Sequence, residues 1–192
     1  MPASPRSPIS WTLLATVVAL FCLIWPCGEL PAQCATGEVE IFGISGGDYL
    51  GRSVAISGGR LFIGAIGDDA GGTLSGSVRI YRKNDSSYQL EELLIGSAEA
   101  QLGAALAAED SLLAIGAVGS GTIQMWQRDR FGWNLIQQLS DPQGQQGDGF
   151  GSALSLSGDI LAAGSPYFQF GSESVGCVTI WVSDENNGWV LQ

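Results

Sequence analysis

The sequence predicts an all-β protein made of about three tandem four-stranded antiparallel units. Three observations support this: a segment of about 50 residues repeats along the chain, short runs of β-forming residues are bounded by Gly, Ser, Asp and Asn, and no amphipathic helix of useful length occurs. The 28 glycines fit such a chain, because tight hairpin turns use the positive φ angles that glycine adopts readily.

The repeat becomes visible when three segments are aligned. They read LGRSVAISGGRLFIGA, LGAALAAEDSLLAIGA and FGSALSLSGDILAAGSP, and they start at Leu50, Leu102 and Phe150. Each contains two glycines that lie 13 positions apart, namely Gly51 and Gly64, Gly103 and Gly116, and Gly151 and Gly164. A spacing that is kept three times predicts one structural unit used three times.

A second pair of strands is predicted in each unit. The segments GSVRIY, GTIQMW and GCVTIW start at Gly76, Gly121 and Gly176, and an aromatic residue seven or eight positions after each one opens an alternating run. Four-stranded units of 40 to 50 residues that pack radially form β-propellers, which close with 4 to 8 blades. We therefore expect propeller-type blades in a partial propeller. The recurring tryptophans are expected in the core between blades: Trp126, Trp133, Trp181 and Trp189.

The N-terminal residues have the layout of a secretory signal peptide. Arg6 is followed by an apolar run from Trp11 to Trp25, which is shorter than the roughly 20 residues of a membrane-spanning helix. We expect cleavage after about residue 32 to 35, and export to the periplasm, the cell surface or the medium; a retained signal would anchor the chain in a membrane. The predicted segments are a signal peptide at 1–35, a lone strand or linker at 36–45, and repeats at 46–97, 98–143 and 144–192.

The last repeat is expected to be incomplete at its end, within its fourth strand. Val39 to Ile44 has the character of a lone fourth strand, so a strand exchanged between the two ends could complete a blade. Three blades are not expected to close, and an open stack leaves unpaired edges and apolar faces that favour homo-oligomerisation.

The chain lacks the residues of common active sites. It contains no histidine, which excludes the Ser-His-Asp triad and imidazole acid-base catalysis. Lys83 is its only lysine, and no phosphate-binding Gly-rich loop occurs. Glu91 and Glu92 are adjacent on a predicted strand, so we expect them on opposite faces as solvent-exposed edge charges. A net charge of −11 argues against nucleic acid as a partner.

These repeats resemble FG-GAP repeats, the blades of the integrin α-subunit propeller and of many bacterial exported proteins. Phe150-Gly151 supplies the FG, Gly164-Ser165-Pro166 stands at the GAP position, and Asp48 and Asp148 match the acidic residue ahead of FG in bacterial versions. The resemblance covers about residues 44–192. It implies a β-propeller used in extracellular adhesion or ligand binding, with calcium in some blades and no common catalytic activity.

The calcium loop of integrin-type blades, Asp-x-Asp/Asn-x-Asp-Gly-x-x-Asp, is absent from this sequence. At the equivalent position only Asp68 and Asp69 offer carboxylates, too few for a six- to eight-oxygen site unless backbone and water complete it. They are the candidate metal ligands, and no other cofactor is indicated. Tyr167, Phe168 and Phe170 lie in a loop of one repeat only and form the candidate contact surface. The alternative is that this loop folds back over its blade.

The leading functional hypothesis is a non-enzymatic exported binding or adhesion module whose partner is an extracellular protein or glycan. The alternative is a fragment or subunit of a larger β-propeller without independent function. An enzyme on a propeller scaffold ranks third, because it requires polar groups that converge at one end of the axis.

Overall fold

The computed structural model describes residues 39–192 except 86, 185 and 187. The predicted signal peptide therefore lies outside the described residues. Within the described part of the chain every regular element is a β-strand, so the predicted all-β class is confirmed. None of its elements is a helix that could cross a membrane.

Twelve of the described strands form three four-stranded antiparallel sheets, which we call blades 1, 2 and 3. Blade 1 contains β1 (Leu50–Ser57), β2 (Arg60–Ala65), β3 (Ser77–Lys83) and β4 (Tyr88–Ile95). Blade 2 contains β5 (Leu102–Glu109), β6 (Leu112–Ala117), β7 (Thr122–Arg128) and β8 (Trp133–Ser140). Blade 3 contains β9 (Ala153–Ser157), β10 (Ile160–Ser165), β13 (Cys177–Asp184) and β14 (Gly188–Leu191). A hairpin of β11 (Gln169–Phe170) and β12 (Glu173–Ser174) is inserted between β10 and β13.

Each blade is a simple meander, because its strands pair in chain order. The turn between β1 and β2 places Gly58 and Gly59 at φ 54° and 71°, angles that glycine adopts without strain. The equivalent turn of blade 2 has Asp110 at φ 50°, so a side chain tolerates this geometry there. The turn glycines predicted from the sequence thus have a direct structural reason.

The hydrophobic core of the described residues consists of two layers, one between blades 1 and 2 and one between blades 2 and 3. We call the face that a blade turns toward the preceding blade its leading face, and the opposite one its trailing face. The leading face of blade 2 carries Leu106, Ala108, Leu113, Ile115, Trp126 and Trp133. The same repeat positions of blade 3 carry Leu154, Leu156, Leu161, Ala163, Trp181 and Trp189. The predicted role of the tryptophans in the core is therefore confirmed.

The trailing faces supply the other half of each layer. Blade 1 contributes Phe62, Val78, Ile80 and Leu94, and blade 2 contributes Ala107, Ala114, Ile123, Met125 and Leu139. Phe62 meets Trp133 edge-to-face with ring centroids 5.5 Å apart and an interplanar angle of 87°. Such aromatic pairs add stability beyond the area they bury.

The repeated glycine pairs lie where neighbouring blades approach most closely. A Cβ atom on Gly64 would meet the carbonyl oxygen of Gly103, and one on Gly116 would meet that of Gly151. Gly103 and Gly151 themselves have φ of 93° and 82°, a backbone conformation that side chains disfavour. The second glycine of one blade therefore packs on the first glycine of the next, which accounts for their recurrence.

Hydrogen bonds also link successive blades at their hairpin tips. The Asp110 N–H donates to Ser57 Oγ over 2.8 Å, and at the same position of the next junction the Gly158 N–H donates to Glu109 Oε2 over 2.6 Å. At the outer strands the Gln137 side chain makes two 2.8 Å bonds to the backbone N–H and C=O of Trp189. Polar contacts thus repeat with the same period as the apolar ones.

The two adjacent glutamates of β4 do not lie on opposite faces as the strand period suggests. A register shift between Ile80 and Tyr81 places a β-bulge at this point, and both side chains reach blade 2. Glu91 pairs with Arg128 at 3.3 Å, and Glu92 accepts a hydrogen bond from the Trp133 N–H over 3.2 Å. The expectation that the two glutamates point to opposite faces was wrong, because the bulge removes the alternation on which it rested; Glu91 is nevertheless exposed on the edge strand β4, as expected, whereas Glu92 is partly buried.

Glu91 gives the stability of the fold a pH dependence, mainly through its pair with Arg60 of the same blade and to a smaller extent through Arg128 of blade 2. The hydrogen bond from Arg60 lowers the pKa of Glu91 most, burial opposes it, and the charges of Arg60 and Arg128 lower it further. A carboxyl whose pKa is lower in the folded state stabilises the protein above its unfolded pKa and loses that contribution as the pH falls through the folded value.

We expect Glu91→Gln to cost less than about 1 kcal/mol near pH 7, because the pair is partly solvated. Urea unfolding should show the difference between the variant and the original chain shrinking below about pH 4, and a constant difference would contradict the assignment.

The segment before β1 differs from one of its two sequence interpretations. Residues 39–44 form no strand in the structure, and the fourth strand of blade 3 is β14 rather than a strand exchanged from the other end. Val39 and Ile41 instead lie beside Val54, Leu61 and Ile63 on the leading face of blade 1. A segment that lies over the face of a sheet cannot make the backbone hydrogen bonds by which a strand pairs with the edge of that sheet.

Candidate functional site

The predicted contact loop forms an ordered hairpin that extends blade 3. The Phe168 carbonyl accepts hydrogen bonds from the N–H groups of Val175 (2.9 Å) and Gly176 (3.1 Å), which close its base. The Tyr167 N–H donates to the Asp148 carbonyl over 3.0 Å and fixes the base to the turn before β9. Gly171, with φ 67°, makes the tight turn at the tip. The hairpin therefore has a defined backbone that can present side chains.

The three aromatic residues of this loop differ in exposure. Tyr167 is 64% and Phe170 78% exposed, whereas Phe168 is half-buried and lines a cavity of about 410 Å³ beside Ile180 and Leu191. Of the three aromatic residues, only Phe168 fits the alternative in which the loop folds back over its blade. Val175, which is 60% exposed on the same hairpin, was not singled out from the sequence. Large apolar side chains that are exposed together on one hairpin keep it as the candidate contact surface.

The equivalent loop of blade 1 shows that a residue at this position stays exposed even when another blade follows. The segments that connect the second and third strands of blades 1 and 3 have equal length, so Phe170 corresponds to Ala70. Ala70 is exposed even though blade 2 follows blade 1. We therefore expect the position of Phe170 to stay accessible whether or not another sheet packs on blade 3.

The two candidate metal ligands, Asp68 and Asp69, bind the backbone and side chains of their own loop and the neighbouring strand. Asp68 Oδ1 accepts a bond from the Ala70 N–H (2.9 Å), and its Oδ2 accepts one from the Ser77 hydroxyl (2.6 Å). Asp69 Oδ1 accepts a bond from the Leu74 N–H over 2.7 Å. These bonds organise the loop between β2 and β3, a structural use of both carboxylates.

An arginine lies beside Asp68, one of the two candidate metal ligands. Arg79 Nη2 is 3.9 Å from Asp68 Oδ2 and 3.8 Å from Asp48 Oδ2, and the Arg79 side chain is only 5% exposed. Sequence reasoning missed this residue. The available signal was its alignment with the uncharged Gln124 and Thr179 of the other two repeats. The guanidinium supplies the positive charge that these acidic side chains need.

These residues do not fit calcium. In the described part of the chain no three Asp, Glu, Cys or His side chains converge, and Arg79 would repel a second cation beside Asp68. We predict that millimolar calcium leaves the melting temperature of the full chain unchanged, with magnesium and a chelator as the comparison conditions. A rise in melting temperature with calcium alone would contradict this prediction.

Comparison with known families gives a match to part of blade 1. Residues 44–81, which span the turn before β1 and the strands to Tyr81, match the family model described as FG-GAP repeat. No curated protein sequence matches the chain. The match lies on blade 1, and blades 2 and 3 repeat its glycine pair, strand order and core positions.

Proposed function

We propose, taking this chain as an FG-GAP repeat protein, that it is an exported, non-enzymatic binding module. It contacts an extracellular protein or glycan through the hairpin of β11 and β12. The observation that carries this proposal is the presence, in blade 3 only, of an ordered hairpin with Tyr167 and Phe170 exposed by more than half of their surface. Aromatic side chains give a large contact area at a low cost in conformational entropy, and they suit both protein surfaces and sugar rings.

Three further observations support the proposal. FG-GAP repeats are typical of exported proteins and generally carry no catalytic activity, and the N-terminal sequence has the layout of a signal peptide. The absence of histidine from the sequence removes the commonest general acid and base. The net charge of −11 disfavours nucleic acids and anionic membranes as partners.

A larger propeller assembly is the second candidate for how this module works. The observation that favours it is the exposure of apolar side chains on the outward faces of blades 1 and 3, such as Val54 (63%) and Val178 (66%). In that case the hairpin acts as one contact element of a larger surface.

Binding can be tested with the secreted full chain on an array of immobilised polysaccharides and extracellular proteins. We expect saturable binding to at least one array component, and a loss of affinity of at least about tenfold in Phe170→Ser, or about 1.4 kcal/mol. Phe131→Ser is the matched control, because Phe131 is 81% exposed in the turn between β7 and β8, away from the hairpin. Equal losses in both variants, or no binding by the original chain, would refute the proposal.

A further inference from the structure

The chain packs one blade on the next at two junctions, between blades 1 and 2 and between blades 2 and 3. Two of its exposed surfaces resemble the two sides of such a junction. On the leading face of blade 1, Val54 and Ile56 are 63% and 73% exposed. Leu106 and Ala108 at the same positions of blade 2 pack on the core between blades 1 and 2. Leu154 and Leu156 of blade 3 do the same one layer further on. Side chains of the type that packs on a preceding blade thus face solvent in blade 1.

The trailing face of blade 3 shows the complementary half. Val178 and Ile180 are 66% and 39% exposed, whereas Ile123 and Met125, at the same positions of blade 2, are fully buried under blade 3. Val78 and Ile80 of blade 1 are likewise fully buried under blade 2. Blade 3 therefore presents an apolar surface of the kind that a following blade covers.

The close glycine contact is also divided between these two faces. Gly64 and Gly116 pack on the carbonyl oxygens of Gly103 and Gly151 in the following blade. Gly164 of blade 3 has only Ala153 of its own blade near it, and Gly51 of blade 1 has no atom within 4 Å of a built Cβ. The backbone shape for a third such contact is present at both ends of the series.

The hydrogen bond between successive hairpin tips also has its acceptor at one end of the series of blades and its donor at the other. Ser57 and Glu109 accept hydrogen bonds from the N–H groups of Asp110 and Gly158 on the next blade. The corresponding acceptor of blade 3 is Ser157, and the corresponding donor of blade 1 is the N–H of Gly58. An apolar layer, a glycine contact and a hydrogen bond all match in register, which a nonspecific apolar patch would not provide.

We propose that a second copy of this chain covers both faces. The trailing face of blade 3 in each copy packs on the leading face of blade 1 in the other, so that the same junction occurs twice around a two-fold axis. The described residues of two copies supply six blades, within the 4 to 8 with which propellers close, whereas those of three copies would supply nine. Val39 and Ile41, which lie on part of the leading face of blade 1, move aside in this arrangement.

The first test is the molar mass of the secreted full chain, measured by light scattering over a range of concentrations. The expected result is twice the mass of one chain, and Ile56→Asp and Val178→Asp should each give the mass of one chain. Both side chains are exposed in a single chain, so these variants should keep the circular dichroism of the original fold. Phe131→Asp, which changes an exposed residue outside both faces, should remain dimeric. A single-chain mass for the original protein at every concentration would overturn the proposal.

The head-to-tail arrangement makes two further demands. A mixture of Ile56→Asp and Val178→Asp retains one intact junction, so it should form a two-chain species that neither variant forms alone. If only one of these substitutions abolishes the dimer, the interface joins like faces and the proposal fails. Gly164→Ala should weaken association at least about tenfold, since its Cβ would meet the carbonyl oxygen of Gly51 in the second copy, and unchanged association would also overturn the proposal.

Discussion

Replacing Gly116 with alanine should destabilise the fold by at least about 3 kcal/mol, the upper part of the range for overpacked cores. The new Cβ would meet the carbonyl oxygen of Gly151 across the junction of blades 2 and 3. Relief requires that the two blades move apart, because the obstructing atom belongs to the backbone rather than to a flexible side chain. Such movement would loosen the layer that contains Ile123, Met125 and Trp181.

Urea unfolding followed by tryptophan fluorescence measures this effect. Gly46→Ala is the control, because Gly46 lies before β1, has no neighbouring atom within 4 Å of a built Cβ and has no positive φ. We expect the control to lie within about 0.5 kcal/mol of the original chain. Similar stability in both variants would show that the blades do not approach as closely as the structure has them.

Replacing Trp133 with alanine should cost about 3 to 5 kcal/mol, as truncation of a large buried aromatic does. Trp133 is 5% exposed in the core between blades 1 and 2, and it packs edge-to-face on Phe62. The substitution leaves a cavity between two sheets whose hydrogen-bonded backbones resist collapse. It also removes the aromatic contact.

The matched control is Tyr88→Ala. Tyr88 opens β4 as Trp133 opens β8, but it lies on the leading face of blade 1 and is only partly buried. We expect a cost below about 1.5 kcal/mol for a single chain, because the ring is still in contact with water. Thermal and urea unfolding of the two variants at low concentration should separate these values. Equal costs would mean that the layer between blades 1 and 2 is not the main source of stability.

Much of the architecture could be predicted from local pattern. The spacing of Gly51 and Gly64, kept in all three units, is a property of the sequence, and it recurs because adjacent blades need close backbone contact there. The strands follow from short β-forming runs between turn residues, and the recurring tryptophans indicate one core layer at each junction. The contact hairpin was predictable as a loop whose aromatic residues occur in one repeat only.

Other features depended on contacts that the local pattern does not report. The β-bulge at Glu91 changed the faces of two glutamates, and a single-residue shift in pairing leaves no clear mark in the sequence. The proximity of Arg79 to Asp48 and Asp68 joins β3 to two separate loops, and it argues against calcium where the acid count alone left the question open. The course of residues 39–44 over the face of a sheet also required the tertiary structure.

The sequence by itself determined that this chain is an all-β repeat protein whose residues 44–81 match the FG-GAP repeat, because repetition, strand period and turn glycines are local properties of the chain. Only the tertiary structure decided which of these equivalent positions are buried. Ile56 and Leu156 occupy the same repeat position with nearly the same chemistry, yet Ile56 is exposed and Leu156 packs on the core between blades 2 and 3. The difference arises because burial depends on the neighbouring sheet, and blade 3 has a blade in front of it in the described chain whereas blade 1 does not.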